Sequence, residues 1–298
     1  MTQSQTQTIR TIAVIGLGKM GGGLARNLAR HPDFDVYVFD VSADAVARCV
    51  DAGATASEDM VAAATDTDLV ITSLPMPADV HGAYTTLAPH LAERTIVMDT
   101  STIDPDTARA VADIVGANRF VSCLLGKGPA QAESGELPLF VGGPTVALDL
   151  LEPVFACIGD TVHRMGSVEA ATAFKLVSNL IGMTNLAVLA EGYALCRRAG
   201  VSSDTFTESL ADTGAWSYQA EVRLPWMIAD DFAPRFPVSL GLKDLYLTLE
   251  MAAKWGLAAP VGAAGMSQLA SAAAHGHGAS DVDAILEVVD PLRAARNT

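Results

Sequence analysis

Residues 11–21 read TIAVIGLGKMG: a short β-branched apolar run, a turn built on spaced glycines, then a helical stretch over 19–30. Few folds accept that order. The run TIAVIG (11–16) has the composition of a buried strand. GLGKMG carries glycines at 16, 18 and 21, the G-x-G-x-x-G spacing. The first glycine permits the tight turn, the second lets backbone approach a pyrophosphate, and the third lets helix and strand pack closely. The helix N-terminus that follows attracts phosphate. The spacing alone is weak evidence, but its context is specific. It follows a strand, it opens a helix, and Asp40 ends the next strand, DVYVFD (35–40), 19 residues after Gly21. Gly16, Gly18, Lys19, Met20, Gly21 and Asp40 are therefore the expected cofactor-binding residues. Asp40 suits the two ribose hydroxyls of NAD and repels a 2′-phosphate. Val41 and Ser42 supply no arginine to hold such a phosphate, so NAD is expected over NADP.

Alternation continues beyond this unit. DLVITSLP (68–75), TIVMD (95–99), RFVS (119–122), LFVGG (139–143) and TVHRM (161–165) read as strands separated by helical runs. That pattern predicts an α/β Rossmann domain with a doubly wound, mostly parallel sheet. In such sheets ligands sit at the carboxyl edge. LPMP (74–77) and DTST (99–102) end strands there, which places Leu74, Pro75 and Thr102 on the expected nicotinamide side.

After Gly166 only helices are expected: 170–199, 203–212, 215–229, 239–255, 260–274 and 281–295. The first spans roughly 45 Å at 1.5 Å per residue. It is apolar nearly all round, so burial on most sides is expected. The expected division is a dinucleotide-binding Rossmann domain over 1–165, with residues 1–8 disordered, and an all-α C-terminal domain over 166–298 for substrate binding and dimerisation. The long interdomain helix joins them. Five further helices can cover some of it and a second subunit the remainder, so a homo-oligomer, dimer or tetramer, is expected.

Composition excludes several classes. The 34 acidic residues exceed the 19 Lys and Arg, for a formal net charge of −15. A nucleic-acid surface needs a basic face, so none is expected. Four scattered cysteines without a CxxC suggest neither zinc nor disulfides and fit a cytoplasmic protein. MTQSQTQTIR lacks the apolar core of a signal peptide. Lys175, Asn179, Asn185 and Glu191 interrupt the best apolar run, so no membrane span is expected. The six histidines form no triad or metal set, and no GxxxxGK[ST] occurs.

Three segments carry candidate chemistry. In AFKLVSNLIG (173–182), Lys175, Ser178, Asn179 and Gly182 share one helix face within an otherwise apolar helix. A desolvated lysine there suits general acid–base work, with Asn179 bonding the lysine or the substrate. Gly182 leaves room for a ligand. GKGPAQAESGEL (126–137) combines small residues with one cation: Gly126 and Gly128 admit a ligand to the backbone, and Lys127 attracts an anion. GLKDLYLTLEMA (241–252), preceded by Phe236, reads either as an exposed Lys–Asp helix start or as a segment whose Lys243 closes on the cofactor.

Together GLGKMGGGLARNL (16–28), GKGPAQAESGELPLFVGG (126–143), GSVEAATAFKLVSN (166–179) and GLKDLYLTLEMA (241–252) resemble the β-hydroxyacid dehydrogenase family, which includes 3-hydroxyisobutyrate dehydrogenase. Order and spacing match over nearly the whole chain. The resemblance implies oxidation of a small hydroxy acid by NAD(P), with Lys175 as catalytic lysine, Asn179 as its neighbour, and Thr102 and Lys243 at the cofactor. The family pattern Asp-Ala-Pro-Val-Ser-Gly-Gly reads Ser-Cys-Leu-Leu-Gly-Lys-Gly here (122–128), so the carboxylate-holding serine becomes Gly126 and Lys127 follows. The family's Asn-Asn pair is Ser178-Asn179. These changes suggest an anion gripped by an ammonium: a carboxylate, sulfonate or phosphonate on a small hydroxy acid or aldehyde. Two alternatives remain: reduction of another carbonyl or imine compound, and a nucleotide-sensing protein without turnover. Imine reductases share the architecture but generally lack the lysine.

Overall fold

A computed structural model describes residues 8–291. The expectations for residues 1–7 and for the end of the last helix, 292–295, lie outside the described residues. The chain divides into two units, Met1–Lys175 and Leu176–Thr298, so the division falls inside the long helix.

The first unit is built on eight strands: β1 (Thr11–Ile15), β2 (Asp35–Phe39), β3 (Thr55–Ala56), β4 (Leu69–Thr72), β5 (Ile96–Asp99), β6 (Phe120–Leu125), β7 (Leu137–Gly142) and β8 (Gly159–Gly166). Their order across the sheet is β3-β2-β1-β4-β5-β6-β7-β8. The pairs from β3 to β6 are parallel; β7 runs antiparallel to β6, and β8 runs parallel to β7. Helices α1 (Lys19–Arg30), α2 (Ala43–Val50), α3 (Met60–Ala64), α4 (Pro77–Leu87), α5 (Pro105–Val115), α6 (Pro129–Ser134), α7 (Thr145–Leu150) and α8 (Glu152–Ile158) connect them. The central strands β4, β5 and β6 are buried throughout, as parallel strands covered on both faces must be.

Strand alternation divides the apolar residues between two layers. Ile12 and Val14 of β1 pack in one cluster with Leu24 and Leu28 of α1. Ala13 and Ile15 pack in another with Tyr84 of α4 and Val111 of α5. Helix starts follow capping chemistry. Ser42 accepts from Ala45 N at 3.3 Å, and Asp104, before Pro105, accepts from Asp106 N and Thr107 N.

The helix α9 (Val168–Arg198) crosses from the first unit into the second. The second unit continues with α10 (Ser203–Ala211), α11 (Tyr218–Ile228), α12 (Val238–Lys254), α13 (Pro260–Ala272) and α14 (Ile285–Val289). Two expected helices change shape. The 215–229 run begins only at Tyr218, because Ser217 caps it by accepting from Ala220 N at 3.2 Å. The run expected from 281 opens with a 3₁₀ turn, Val282–Ala284, before α14. Leu186, Ala190 and Tyr193 of α9 form a core with Leu224, Leu245 and Leu269.

The expectation that α9 is buried on most sides is corrected. Ile181, Val188 and Leu195 are 56, 61 and 70 % exposed. Steps of seven residues put these three on one face, which none of the described residues covers. By length and composition alone α9 also passes as long and apolar enough to cross a membrane, with a mean hydropathy of 1.4, although Lys175, Asn179, Asn185 and Glu191 interrupt its apolar run.

A charged knot ties the second unit together. Asp281, fully buried, accepts from the guanidinium of Arg223, and its other oxygen accepts from Arg235 N at 2.9 Å and Phe236 N at 2.6 Å. Asp283 is buried beside it, and neither of its oxygens has a hydrogen-bond partner. Burial, reinforced by the Asp281 charge, pushes the Asp283 carboxyl from an ordinary 3.8 up to about 7. The folded chain therefore holds this proton more tightly than the unfolded chain. Stability is lost as pH rises from about 3.8 towards 7, by up to about 1.4 kcal/mol per pH unit, and then levels off. Asp283→Asn mimics the neutral acid. It is expected to raise Tm by several degrees at pH 8 and by clearly less at pH 5, read by calorimetry; equal gains at both pH values would place the cost elsewhere.

Candidate active site

The glycine turn is built by close approach. Gly16 has φ +89°, and a Cβ on it would lie 2.4 Å from the Ser73 carbonyl oxygen. A Cβ on Gly21 would lie 2.1 Å from the Gly16 carbonyl oxygen. Around Gly18 a Cβ would meet nothing within 4 Å, so the second glycine opens onto free space. Gly18 is the N-cap of α1 without a side-chain cap, and the first turn holds no acid. The orphan N–H groups there suit a phosphate. Lys19 is exposed at this end, while Met20 packs on the core.

Asp40 is placed by two backbone donors. Leu17 N donates to Oδ2 at 2.6 Å and Ser42 N to Oδ1 at 2.7 Å. One lone pair on each oxygen remains for ribose hydroxyls. A cavity of about 440 Å³ opens beside it, lined by Phe39, Val46, Asp51 and Glu58 among others. Among the described residues lining it, three are acids and none is Lys or Arg; Arg48 lies exposed on α2 outside it. The residues present fit a dinucleotide: an uncapped helix end, open backbone and an acid at the ribose position.

At the carboxyl edge of β4 and β5 lies a buried polar network that sequence reasoning missed. Asp99 Oδ1 accepts from Thr72 Oγ1 at 2.6 Å and from Ser101 Oγ at 2.7 Å. Leu74 N donates to Ser101 Oγ at 2.8 Å. Thr72 spends its one proton on Asp99, so in the 2.7 Å contact between Tyr84 Oη and Thr72 Oγ1 the tyrosine donates. Burial, then the Asp99 charge, raises the Tyr84 phenol well above its ordinary range. The network holds the turn carrying Leu74 and Pro75 against the one carrying half-buried Thr102.

The loop at 126–128 differs from its reading as an anion grip. Gly126 has no room for a side chain: a Cβ would lie 2.5 Å from Pro138 Cγ. Lys127 holds φ 55°, rare for a side-chain-bearing residue. Its ammonium lies 3.7 Å from Asp160 of β8 and donates to the Glu136 carbonyl at 3.5 Å. Gly128 N donates to Gln131 Oε1 at 3.3 Å. A bound anion at Lys127 would share the ammonium with Asp160.

Lys175 is half-buried, one helical turn before Asn179 in α9. Within the second unit, Asn179 Nδ2 donates to Asp244 Oδ2 at 2.5 Å. Asp244 is 1 % exposed, and the Lys243 ammonium, itself largely buried, lies 3.0 Å from Oδ1. The approach is off a hydrogen-bond direction, so the pair attracts by charge. This corrects the reading of Lys243–Asp244 as an exposed helix start. Gly182 does not leave the expected room, because the Gln219 amide lies 3.1 Å from where its Cβ would be. Phe236 packs partly buried on the core, its N–H held by Asp281. Among the described residues no three His, Cys, Asp or Glu side chains gather as a metal site.

Comparison with known proteins shows what the chain is similar to. Residues 11–166 match the family described as the NAD binding domain of 6-phosphogluconate dehydrogenase. Residues 170–289 match the family described as NAD-binding of NADP-dependent 3-hydroxyisobutyrate dehydrogenase. The chain is 30 % identical to 2-(hydroxymethyl)glutarate dehydrogenase of Eubacterium barkeri over 288 residues, covering 94 % of this chain and 95 % of that one. It is 31 % identical to 3-sulfolactaldehyde reductase of Escherichia coli over 284 residues, covering 93 % and 95 %. The solved structure of Mycobacterium tuberculosis 3-hydroxyisobutyrate dehydrogenase with L-serine superposes with a TM-score of 0.86 at 25 % identity, covering 95 % of this chain and 99 % of that one.

Replacing Ser101 with Ala removes the acceptor of Leu74 N and one donor to a buried carboxylate. The expected loss is about 1–3 kcal/mol, read as a lower Tm together with weaker NADH binding by fluorescence titration. Unchanged binding would show that the Leu74 turn does not depend on this bond.

Proposed function

Because this chain belongs to the β-hydroxyacid dehydrogenase family and is an NAD(P)-dependent oxidoreductase acting on a CH–OH group, we propose that its reaction is reversible oxidation of a small anionic 3-hydroxy acid to the semialdehyde, with Lys175 as general acid and base. The observation that carries this reading is the polar face of α9: a half-buried lysine one turn before an asparagine anchored to a buried acid. The bound nicotinamide supplies the hydride acceptor. In oxidation the neutral Lys175 amine takes the hydroxyl proton; in reduction its ammonium returns that proton to the developing alkoxide. Asn179 orients the group that exchanges it.

NAD is the proposed cofactor. Support comes from Asp40 with Asp51 and Glu58 around the cavity, where a 2′-phosphate would meet three carboxylates. Gly16, Gly18, Lys19, Met20 and Gly21 are proposed at the pyrophosphate, and Leu74, Pro75, Thr102, Phe236 and Lys243 around the rest of the cofactor. A sulfonated aldehyde is the second substrate reading, favoured by the likeness to 3-sulfolactaldehyde reductase and by a cation, Lys127, where the family carries glycine. The bare face of Ile181, Val188 and Leu195 supports a homo-oligomer in which a second copy covers it.

Lys175→Ala is expected to lower kcat by roughly 10²–10⁴-fold while NADH still binds, followed by NADH absorbance over 3-hydroxy acids and aldehydes bearing carboxylate, sulfonate or phosphonate. Near-normal turnover in that variant overturns the role. For assembly, sedimentation is expected to show at least a dimer, and Val188→Glu to shift it towards monomer; a wild-type monomer at micromolar concentration contradicts the oligomer.

A further inference from the structure

We infer that Asp244 is a positioning residue for the reaction, acting through Asn179 rather than on the substrate itself. The inference rests on the reading of Lys175 and Asn179 given above. An ionised carboxylate only accepts hydrogen bonds. With Asp244 Oδ2 at 2.5 Å, the arm of the Asn179 amide that faces it must be the nitrogen; the carbonyl arm in that place would set oxygen against a carboxylate. The acid therefore selects one of the two amide orientations. Asn179 Oδ1 is then the arm left for the ligand side, and Asn179 serves there as an acceptor. Its partner is an O–H or N⁺–H donor, such as the substrate hydroxyl or the ammonium one turn earlier in the same helix.

Two neighbours keep this arrangement single-valued. A protonated Asp244 could donate as well as accept, and the amide could then turn over. The Lys243 ammonium, 3.0 Å from Oδ1, supplies the countercharge that a buried carboxylate needs. Thr248 Oγ1 contacts the Asp244 carbonyl at 2.7 Å and the Leu176 carbonyl at 3.2 Å, tying α12 to α9 beside the pair. Asp244 lies 65 residues from Asn179 in sequence and is almost completely buried, so it does not meet solvent.

A double-mutant cycle tests this. Asp244→Asn keeps the volume but offers the amide either an oxygen or a nitrogen. It is expected to lower kcat roughly 10- to 100-fold, with a smaller change in substrate KM. In an Asn179→Ala background the same change is expected to cost little further, because the group it orients is gone. Losses that multiply in the double variant would show that Asp244 acts independently of Asn179 and overturn the inference. Where Asp244→Asn lowers Tm too far for assay, Asp244→Glu carries the same cycle, since it keeps the charge and moves the carboxylate. Lys175→Ala run alongside separates the two claims. Turnover surviving in Lys175→Ala, or absent in the wild type, removes the underlying reading and this inference with it. Turnover lost in Lys175→Ala with multiplying losses in the cycle removes the inference alone.

Discussion

Everything in the first unit is hung from one steric fact: at Gly16 and Gly21 the chain passes itself so closely that no side chain fits. The Gly16 carbonyl occupies the space of a Cβ on Gly21, and the Ser73 carbonyl occupies that of a Cβ on Gly16. This contact pulls the start of α1 down onto the ends of β1 and β4. It leaves the orphan N–H groups of the helix without a side-chain cap, where the helix dipole favours an anion. The sheet order then sets Asp40 on one side of that turn and the Leu74 and Ser101 turns on the other. The dinucleotide site follows from backbone packing first and from side-chain chemistry second.

The second unit is organised by buried carboxylates. Asp281 joins α11, the segment before α12 and the 3₁₀ turn through one guanidinium and two backbone N–H groups. Asp244 joins α12 to α9 through the Asn179 amide, with the Lys243 ammonium of α12 itself beside it. Burial of such charges stabilises little on balance, since desolvation offsets most of the attraction. Their effect is geometric: each fixes which atoms of its partners are engaged, and so which remain. Asp283 shows the other outcome: burial and the Asp281 charge push its carboxyl up to about 7.

How much of this could be read beforehand depended on range. The strand–turn–helix over 11–30, the position of Asp40 and the extent of α9 were legible because each depends on local periodicity and glycine spacing. The strand Thr55–Ala56 was not, since two residues carry no period. The reversal of β7 was not, because an apolar strand reads alike in both directions. The bare face of α9 escaped because a helix apolar on all sides does not say which side is covered. Asp244 and Asp99 escaped for a common reason: an acid next to a lysine or at a strand end looks solvated until distant segments close over it. The structure likewise turned Lys127 from an open cation into one paired with Asp160.

Asp40 has two tasks in one side chain. Its oxygens anchor Leu17 N, within the glycine turn, and Ser42 N, ahead of α2. Anyone wishing to adapt this corner of the fold to a phosphorylated nucleotide therefore cannot treat this position as an interchangeable label. Exchanging the acid also unfastens the glycine turn, and a successful redesign has to furnish a new acceptor for Leu17 before adding any arginine.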